Sequence, residues 1–369
     1  MQPLIKQHAA RSITQLPTKQ EQFVKLLDEV MVLHLHQRQA DAMALSSDYA
    51  RVWNYIETLY RAGGKRTRPY LAYTSFQALS HDKPPIAGFM SVAIAIEFIH
   101  LAMLIHDDII DRDTIRHGQQ NMTGMYREHY SSLSKTEEVD HYANGAALLS
   151  GDALISEAYR TVMACQITPT QKSEICAIFG QTIFEVIAGE LLDTEAVYLA
   201  PDQVDSRNIA RLKTASYSCV MPLKVGAVLA GATTETIADI TAIGTSIGIA
   251  YQIADDDLGI FGDETKTGKS SSNDLHERKR TMLLQRTLEL SSPEDTHRLT
   301  EILTLPALSP ALIEECRSII IRSGARAALS VERQAYTVEA LDIVSHLPVA
   351  ASGATDLVTL LTSLTQRTV

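Results

Sequence analysis

Residues 100–113 read HLAMLIHDDIIDRD, setting Asp107, Asp108 and Asp111 at the end of an apolar stretch that already carries His100 and His106. Residues 91–111 are apolar nearly all round, the pattern of a helix buried inside a bundle. On such a helix the three carboxylates fall at i, i+1 and i+4, so two stack directly and the third flanks them. Like charges so placed destabilise a helix unless something neutralises them. An all-oxygen set without His or Cys suits Mg²⁺, which completes its octahedron with water and substrate phosphates. A solvated helix end is the ordinary account of an acidic triplet, and the apolar residues preceding this one argue against it.

The pattern recurs. A second apolar stretch, 237–253, ends in YQIADDDLGIFGD, which holds Asp255, Asp256 and Asp257. Its i+4 position is Gly259, so the stacked face has one carboxylate fewer; Asp257 points elsewhere, and Asp263 in the following loop is the candidate to reach back. Two such clusters on separate buried helices would form a metal cage open to a phosphate-bearing ligand, with cations nearby. GGKRTRP (63–69) offers Lys65, Arg66 and Arg68 as a concentrated positive patch after a glycine pair that permits close backbone approach. Arg112 and Arg116 follow the first cluster, Lys266 and Lys269 the second, and Lys213, Thr214 and Lys279 stand in further polar stretches. Each alone reads as a surface charge; together with two acidic clusters they read as a site.

Helical periodicity dominates elsewhere. In FVKLLDEVMVLHLH, Phe23, Leu26, Leu27, Val30 and Leu33 or His34 follow the i, i+3, i+4, i+7 pattern. Thr168 with Pro169, and Ser292 with Pro293, read as helix starts. Strict alternation is scarce, so no sheet of any size is expected. At 369 residues and 45% hydrophobic the chain can fill a large core, and a single all-helical domain over 51–369, with 1–50 as an N-terminal extension or extra helix, is the economical reading. A net charge of −11 argues against holding a nucleic-acid backbone by bulk electrostatics. Four scattered cysteines suggest neither a zinc site nor a disulfide framework. Glu97 and His100 break the longest apolar run, so no membrane span is expected, and the N-terminus lacks a signal-type segment. A cytoplasmic protein follows.

The motif set resembles the trans (E) isoprenyl diphosphate synthases, or polyprenyl synthetases. GGKRTRP looks like the family's GGKxxRP, HDDIID like its first DDxxD, and YQIADD like the FQxxDD before its second aspartate motif. The order holds over roughly 50–290, with the leading aspartates 148 positions apart (107 to 255). The resemblance implies an all-α isoprenoid synthase-type helical bundle around a central cavity, commonly a homodimer. Its substrates are isopentenyl diphosphate and an allylic diphosphate, and Mg²⁺ is its cofactor, with three ions expected once substrate is bound.

Carried over position by position, Asp107, Asp111 and Asp255 become direct Mg²⁺ ligands, and Asp108 and Asp256 act through water or as supporting acceptors. Lys65, Arg68, His100 and His117 match isopentenyl diphosphate positions. Arg116, Lys213, Thr214, Gln252, Lys269 and Lys279 match those that grip the allylic diphosphate. His106 reads as a packing or hydrogen-bonding residue. Three departures stand out: Gly259 replaces the last aspartate of the second motif; His117, with a reference pKa near ~6.5, stands where a second Arg is frequent; and Glu190 in IAGELLD stands where Gln is frequent.

Ala102 and Met103 lie about 7.5 and 6 Å down the helix from Asp107 at ~1.5 Å per residue. Neither is the bulky aromatic that floors the cavity of farnesyl-forming relatives, so products beyond C15 are expected, geranylgeranyl (C20) first and longer chains second. Ile99 and Phe98 would form a deeper floor or pack the core. A class I terpene cyclase shares the aspartate-rich helix but has no need of an isopentenyl site. A non-catalytic subunit of a heteromeric synthase would show eroded aspartates.

Overall fold

The computed structural model describes residues 20–80, 86–116, 118–133, 138–200, 203–262, 273–305, 307–349 and 351–366. They are helical almost throughout, as the periodicity predicts. By packing, the chain divides into two compact units, residues 1–73 with 82–176, and residues 74–81 with 177–369.

The first unit holds α1 (Gln20–Met43), α2 (Ser47–Arg61), the start of α3 (Thr67–Leu79), α4 (Phe89–Ile110), α5 (Met122–Leu133), α6 (Val139–Ala164) and the start of α7 (Pro169–Ala196). Its two-residue strands β1 (Ile115–Arg116) and β2 (Gln119–Gln120) pair antiparallel and are the only strands among the described residues. Ser46 caps α2 by accepting from the Tyr49 amide at 3.0 Å. On α1 the buried stripe is Phe23, Leu27, Met31 and Leu35, whereas Leu33 is 39% exposed. Helical spacing alone allows Leu33 or His34 on the inner face; a strict i+4 progression puts Leu33 outside and leaves His34 partly buried. α4 is buried along most of its length and packs against α6.

The second unit holds the remainder of α3 and α7, then α8 (Ser206–Ile209), a π-helical segment (Ala210–Val220), α9 (Met221–Ala230) and α10 (Thr234–Phe261). α11 (Asn273–His276), α12 (Met282–Leu290), α13 (Pro293–Thr304), α14 (Pro310–Ser323), α15 (Ala325–His346) and α16 (Ala351–Thr365) complete it. Pro169 and Pro293 do open helices, the latter capped by Ser292. α10 packs against both the π-helical segment and α15. Glycines set that approach: a Cβ on Gly248 would lie 2.4 Å from Ala215 Cα, and one on Gly244 2.8 Å from Val220 Cα.

The expectation of no membrane-length segment needs correction. α4, α7 and α10 are each long and apolar enough to cross a membrane by length and composition, with mean hydropathies of 1.9, 1.6 and 1.3. Glu97 and His100 interrupt the α4 run without lowering its average enough. α4 and α10 bury 72% and 56% of those windows within the protein, so core packing accounts for their apolarity. α7 buries only 28%.

A charged cluster ties α1 to α6. His34 Nε2 lies 2.5 Å from Glu157 Oε1, Arg160 Nε donates to Glu157 Oε2 at 2.7 Å, and Arg38 lies 3.9 Å away. Burial opposes the Glu157 charge, but hydrogen bonds from Arg160 and His34 outweigh it and hold the carboxyl at about 2, down from 4.5. A depressed carboxyl stabilises the fold above its unfolded value and loses that contribution as pH falls from 4.5 toward about 2. Melting curves taken across that window should show Tm falling less steeply with acid in Glu157→Gln than in the parent, and parallel slopes would remove this role.

Candidate active site

The first aspartate cluster lies where backbone electrostatics oppose it. Asp107 and Asp108 occupy the last turn of α4 and Asp111 is its C-cap, and a helix C-terminus carries partial negative charge. The ribbon brings the neutralising cation. The Asp113 amide donates to Asp108 O at 2.8 Å, Gly118 takes a left-handed φ of +73° at the turn, and the Asn121 amide returns to Thr114 O. Arg116 thereby folds back: its Nε donates to Asp108 Oδ1 at 2.8 Å and its NH2 to Asp107 Oδ2 at 3.2 Å. Asp107 stays partly exposed while Asp108 is buried. Burial raises the Asp108 pKa, with Arg116 opposing. Asp108 Oδ2 is buried without a hydrogen-bond partner. An orphaned carboxylate oxygen suits an ordered cation or its water shell, and among the described residues no three His, Cys, Asp or Glu side chains are already gathered into a metal cage.

The second cluster repeats this division of labour. Asp255 is partly exposed and Asp256 buried at the end of α10. Asp256 accepts from Gln252 Nε2 at 2.7 Å and from the Met282 amide at 2.9 Å. Burial, reinforced by Asp274 and Asp255, still pushes its pKa up to about 8. Asp257 turns away, as expected, to a bidentate pair with Arg326. Gly259 has its own reason: a Cβ there would lie 2.2 Å from Asp274 Oδ2, so the Asp274 carboxylate fills the space a side chain at 259 would need. Asp263 lies outside the described residues.

Gln252 is a relay. Thr214 Oγ1 donates to its carbonyl oxygen at 2.6 Å while its amide nitrogen holds Asp256. Thr214 and Lys213 sit in the π-helical segment, a widened geometry frequent at functional sites. Lys213 Nζ lies 2.7 Å from Asp193 Oδ2 and 2.9 Å from Glu190 Oε2. Gly189 permits this, because a Cβ there would meet the Lys213 amide at 2.4 Å. Lys279 pairs with Glu277 at 2.7 Å. Lys269 and His117 lie outside the described residues.

In GGKRTRP, Gly63 and Gly64 adopt φ of +136° and +132°, and Arg66, though not a glycine, adopts +48°. Arg66 corrects the sequence reading of a three-cation patch: it is buried and turned inward. It donates to Gly63 O and Tyr60 O at 2.7 Å, pairs with Asp28 at 3.1 Å and Glu97 at 3.5 Å, and stacks over the Tyr60 ring. A Cβ on Gly64 would meet its guanidinium at 2.4 Å. Burial raises the Glu97 pKa, with Arg66 and Arg68 opposing. Lys65 is exposed beside this anchor. Arg68 donates to His100 Nε2 at 3.2 Å, which requires that nitrogen to be unprotonated. Arg68 and His100, 32 positions apart, are thus brought together.

His106 packs as expected, its Nε2 3.3 Å from Leu148 O and close against Gly151. Ala102 is buried and Met103 partly so; Phe98 belongs to the core, its ring edge-on to His34. The buried roles of Arg66 and Glu97, and the packing of Asp274 against Gly259, have no motif of their own in the sequence. An isolated glutamate in an otherwise apolar helix was the one available signal for the first pair.

The polyprenyl synthetase family model matches residues 50–320. A short chain isoprenyl diphosphate synthase of Methanothermobacter thermautotrophicus is 32% identical, covering 73% of this chain and 76% of that protein. A geranylfarnesyl diphosphate synthase of Aeropyrum pernix is 30% identical, covering 82% and 90%. Among solved structures, a geranylgeranyl pyrophosphate synthase of Corynebacterium glutamicum, complexed with isoprenyl diphosphate and magnesium, superimposes with a TM-score of 0.85 at 25% identity, covering 93% of this chain and 98% of that one. Family match, identity and coverage agree: the chain belongs to the polyprenyl synthetase family.

Proposed function

We propose that this prenyl diphosphate synthase uses Mg²⁺ to ionise an allylic diphosphate and joins it head to tail to isopentenyl diphosphate, giving an (E)-prenyl diphosphate longer than C15. The observation that carries the metal assignment is the repeated aspartate pair, a partly exposed first carboxylate beside a buried second one. Asp107, Asp111 and Asp255 would hold Mg²⁺, three ions in the fully loaded state, while Asp108 and Asp256 fix the geometry around them. Bound Mg²⁺ would stabilise the negative charge that develops on the leaving diphosphate.

Lys65, Arg68, His100 and His117 hold isopentenyl diphosphate; Arg116, Lys213, Thr214, Lys269 and Lys279 grip the allylic diphosphate, and Gln252 orients Thr214 and Asp256. These cations stabilise the departing anion electrostatically, and no protein nucleophile is needed. The allylic C–O bond breaks with its electron pair going to the diphosphate. The isopentenyl double bond supplies the electrons of the new C–C bond, and a proton is lost to restore the alkene, with the departed diphosphate as base.

Asp107→Ala should lower turnover by on the order of 10²–10³, the scale for losing one transition-state stabilising contact; near-normal turnover would remove Asp107 from the metal site. The small buried Ala102 and flexible Met103 favour geranylgeranyl diphosphate. Incubation of labelled isopentenyl diphosphate with C5, C10 and C15 primers, followed by chromatography of the dephosphorylated products, should give mainly C20; arrest at C15 would overturn this reading.

We also propose a homodimer. Phe184, Ile187 and Leu191 of α7 lie at i, i+3 and i+7 and are 70%, 60% and 57% exposed, an apolar stripe suited to a second copy. Sedimentation velocity should show a dimer that Ile187→Glu dissociates, and a parent chain that stays monomeric at micromolar concentration would refute it.

A further inference from the structure

Glu190 is a departure from the family pattern that places a charge against one of the candidate diphosphate-binding cations. Glu190 and Asp193 stand three residues apart on α7, on one face of the helix. Both carboxylates meet the same ammonium. Lys213 Nζ is 2.7 Å from Asp193 Oδ2, 2.9 Å from Glu190 Oε2 and 3.1 Å from Glu190 Oε1. The three side chains are only 21%, 17% and 17% exposed, so solvent screens the contacts incompletely. Gly189 lets the two backbones approach closely, which brings Lys213 within reach of Glu190.

An ammonium has three donors. Asp193 takes one, and Glu190, presenting both oxygens, takes a second and competes for the third. One ammonium faces two carboxylates here, and Glu190 adds a negative charge beside the lysine assigned to the diphosphate. A glutamine at 190 would accept a similar hydrogen bond through its carbonyl without that charge.

We propose that Glu190 is a positioning residue that limits the grip on diphosphate: it draws the Lys213 ammonium toward α7 and must be displaced before Lys213 can donate to a phosphate oxygen. The inference rests on the assignment of Lys213 to the allylic diphosphate. The loosened grip applies equally to the allylic substrate and to the inorganic pyrophosphate left when the C–O bond breaks. Glu190 therefore weakens substrate capture and eases pyrophosphate release through one contact.

The test is calorimetric titration of the full-length protein with inorganic pyrophosphate in Mg²⁺, together with steady-state kinetics, for the parent, Glu190→Gln, Lys213→Gln and the double variant. Glu190→Gln should bind pyrophosphate roughly three- to tenfold more tightly, the scale of one partly screened charge contact. KM for the allylic diphosphate should fall in parallel while KM for isopentenyl diphosphate is unchanged. In the Lys213→Gln background the same substitution should change nothing. Equal or weaker pyrophosphate binding by Glu190→Gln, or a tightening that persists without Lys213, overturns the proposal. If Lys213→Gln alone leaves pyrophosphate affinity unaltered, the assignment of Lys213 fails, a result distinct from a neutral Glu190→Gln on a Lys213-dependent background.

Discussion

Carboxylates crowded at the C-terminal ends of buried helices are the constraint from which the rest follows. Both helix dipole and burial disfavour charge there, and adjacent aspartates repel. The protein meets this by separating roles within each pair. Asp108 and Asp256 are buried and anchored, the first by Arg116, the second by Gln252 and the Met282 amide. Asp107 and Asp255 are left partly exposed. A buried, anchored neighbour fixes the direction of the helix end, and the partly exposed residue is the one left within reach of a ligand.

Backbone shape makes the same arrangement possible around the cations. The loop before α3 has three unusual conformations within four residues, at Gly63, Gly64 and, after Lys65, Arg66. The energetic cost of a left-handed arginine is offset by a guanidinium hydrogen-bonded to two carbonyls and paired with Asp28 and Glu97. That buried anchor leaves Lys65 pointing outward and sets Arg68 against His100. In the second unit the π-helical segment plays the corresponding part. It is wider than an α-helix, and its approach to α7 and α10 is possible because Gly189, Gly244 and Gly248 present no side chain.

Much of this was legible in the residues. Apolar stretches ending in aspartates identified α4 and α10, and the outward turn of Asp257 followed from helical spacing. What could not be read was the fate of individual cations. Arg66 and Lys65 are adjacent and chemically alike, yet one is buried and the other exposed, because a single φ inverts the direction of the chain between them. The Asp274 carboxylate beside Gly259 was invisible for another reason: a glycine records that space is needed without recording what occupies it. α4 keeps a membrane-length mean hydropathy because Glu97 and His100 barely lower the average of so apolar a run, and Arg66 meets Glu97 inside the protein.

A net charge of −11 sits oddly with a protein that binds anions, and the ion pairs explain why it does not prevent binding. Arg116 is held by Asp107 and Asp108, Lys213 by Glu190 and Asp193, and Lys279 by Glu277. Cations already paired in this way exert little attraction on a bare anion at a distance. On the proposed reading, divalent metal held by Asp107 would satisfy that carboxylate and free Arg116 toward phosphate oxygens, whereas Lys213 and Lys279 pair with carboxylates that take no metal. At Arg116 binding would then be an exchange of partners, in which metal and diphosphate each make the other's contacts available. Such coupling would favour a metal-diphosphate over either component alone, and would let an acidic protein select a polyanion by its accompanying ions rather than by charge alone.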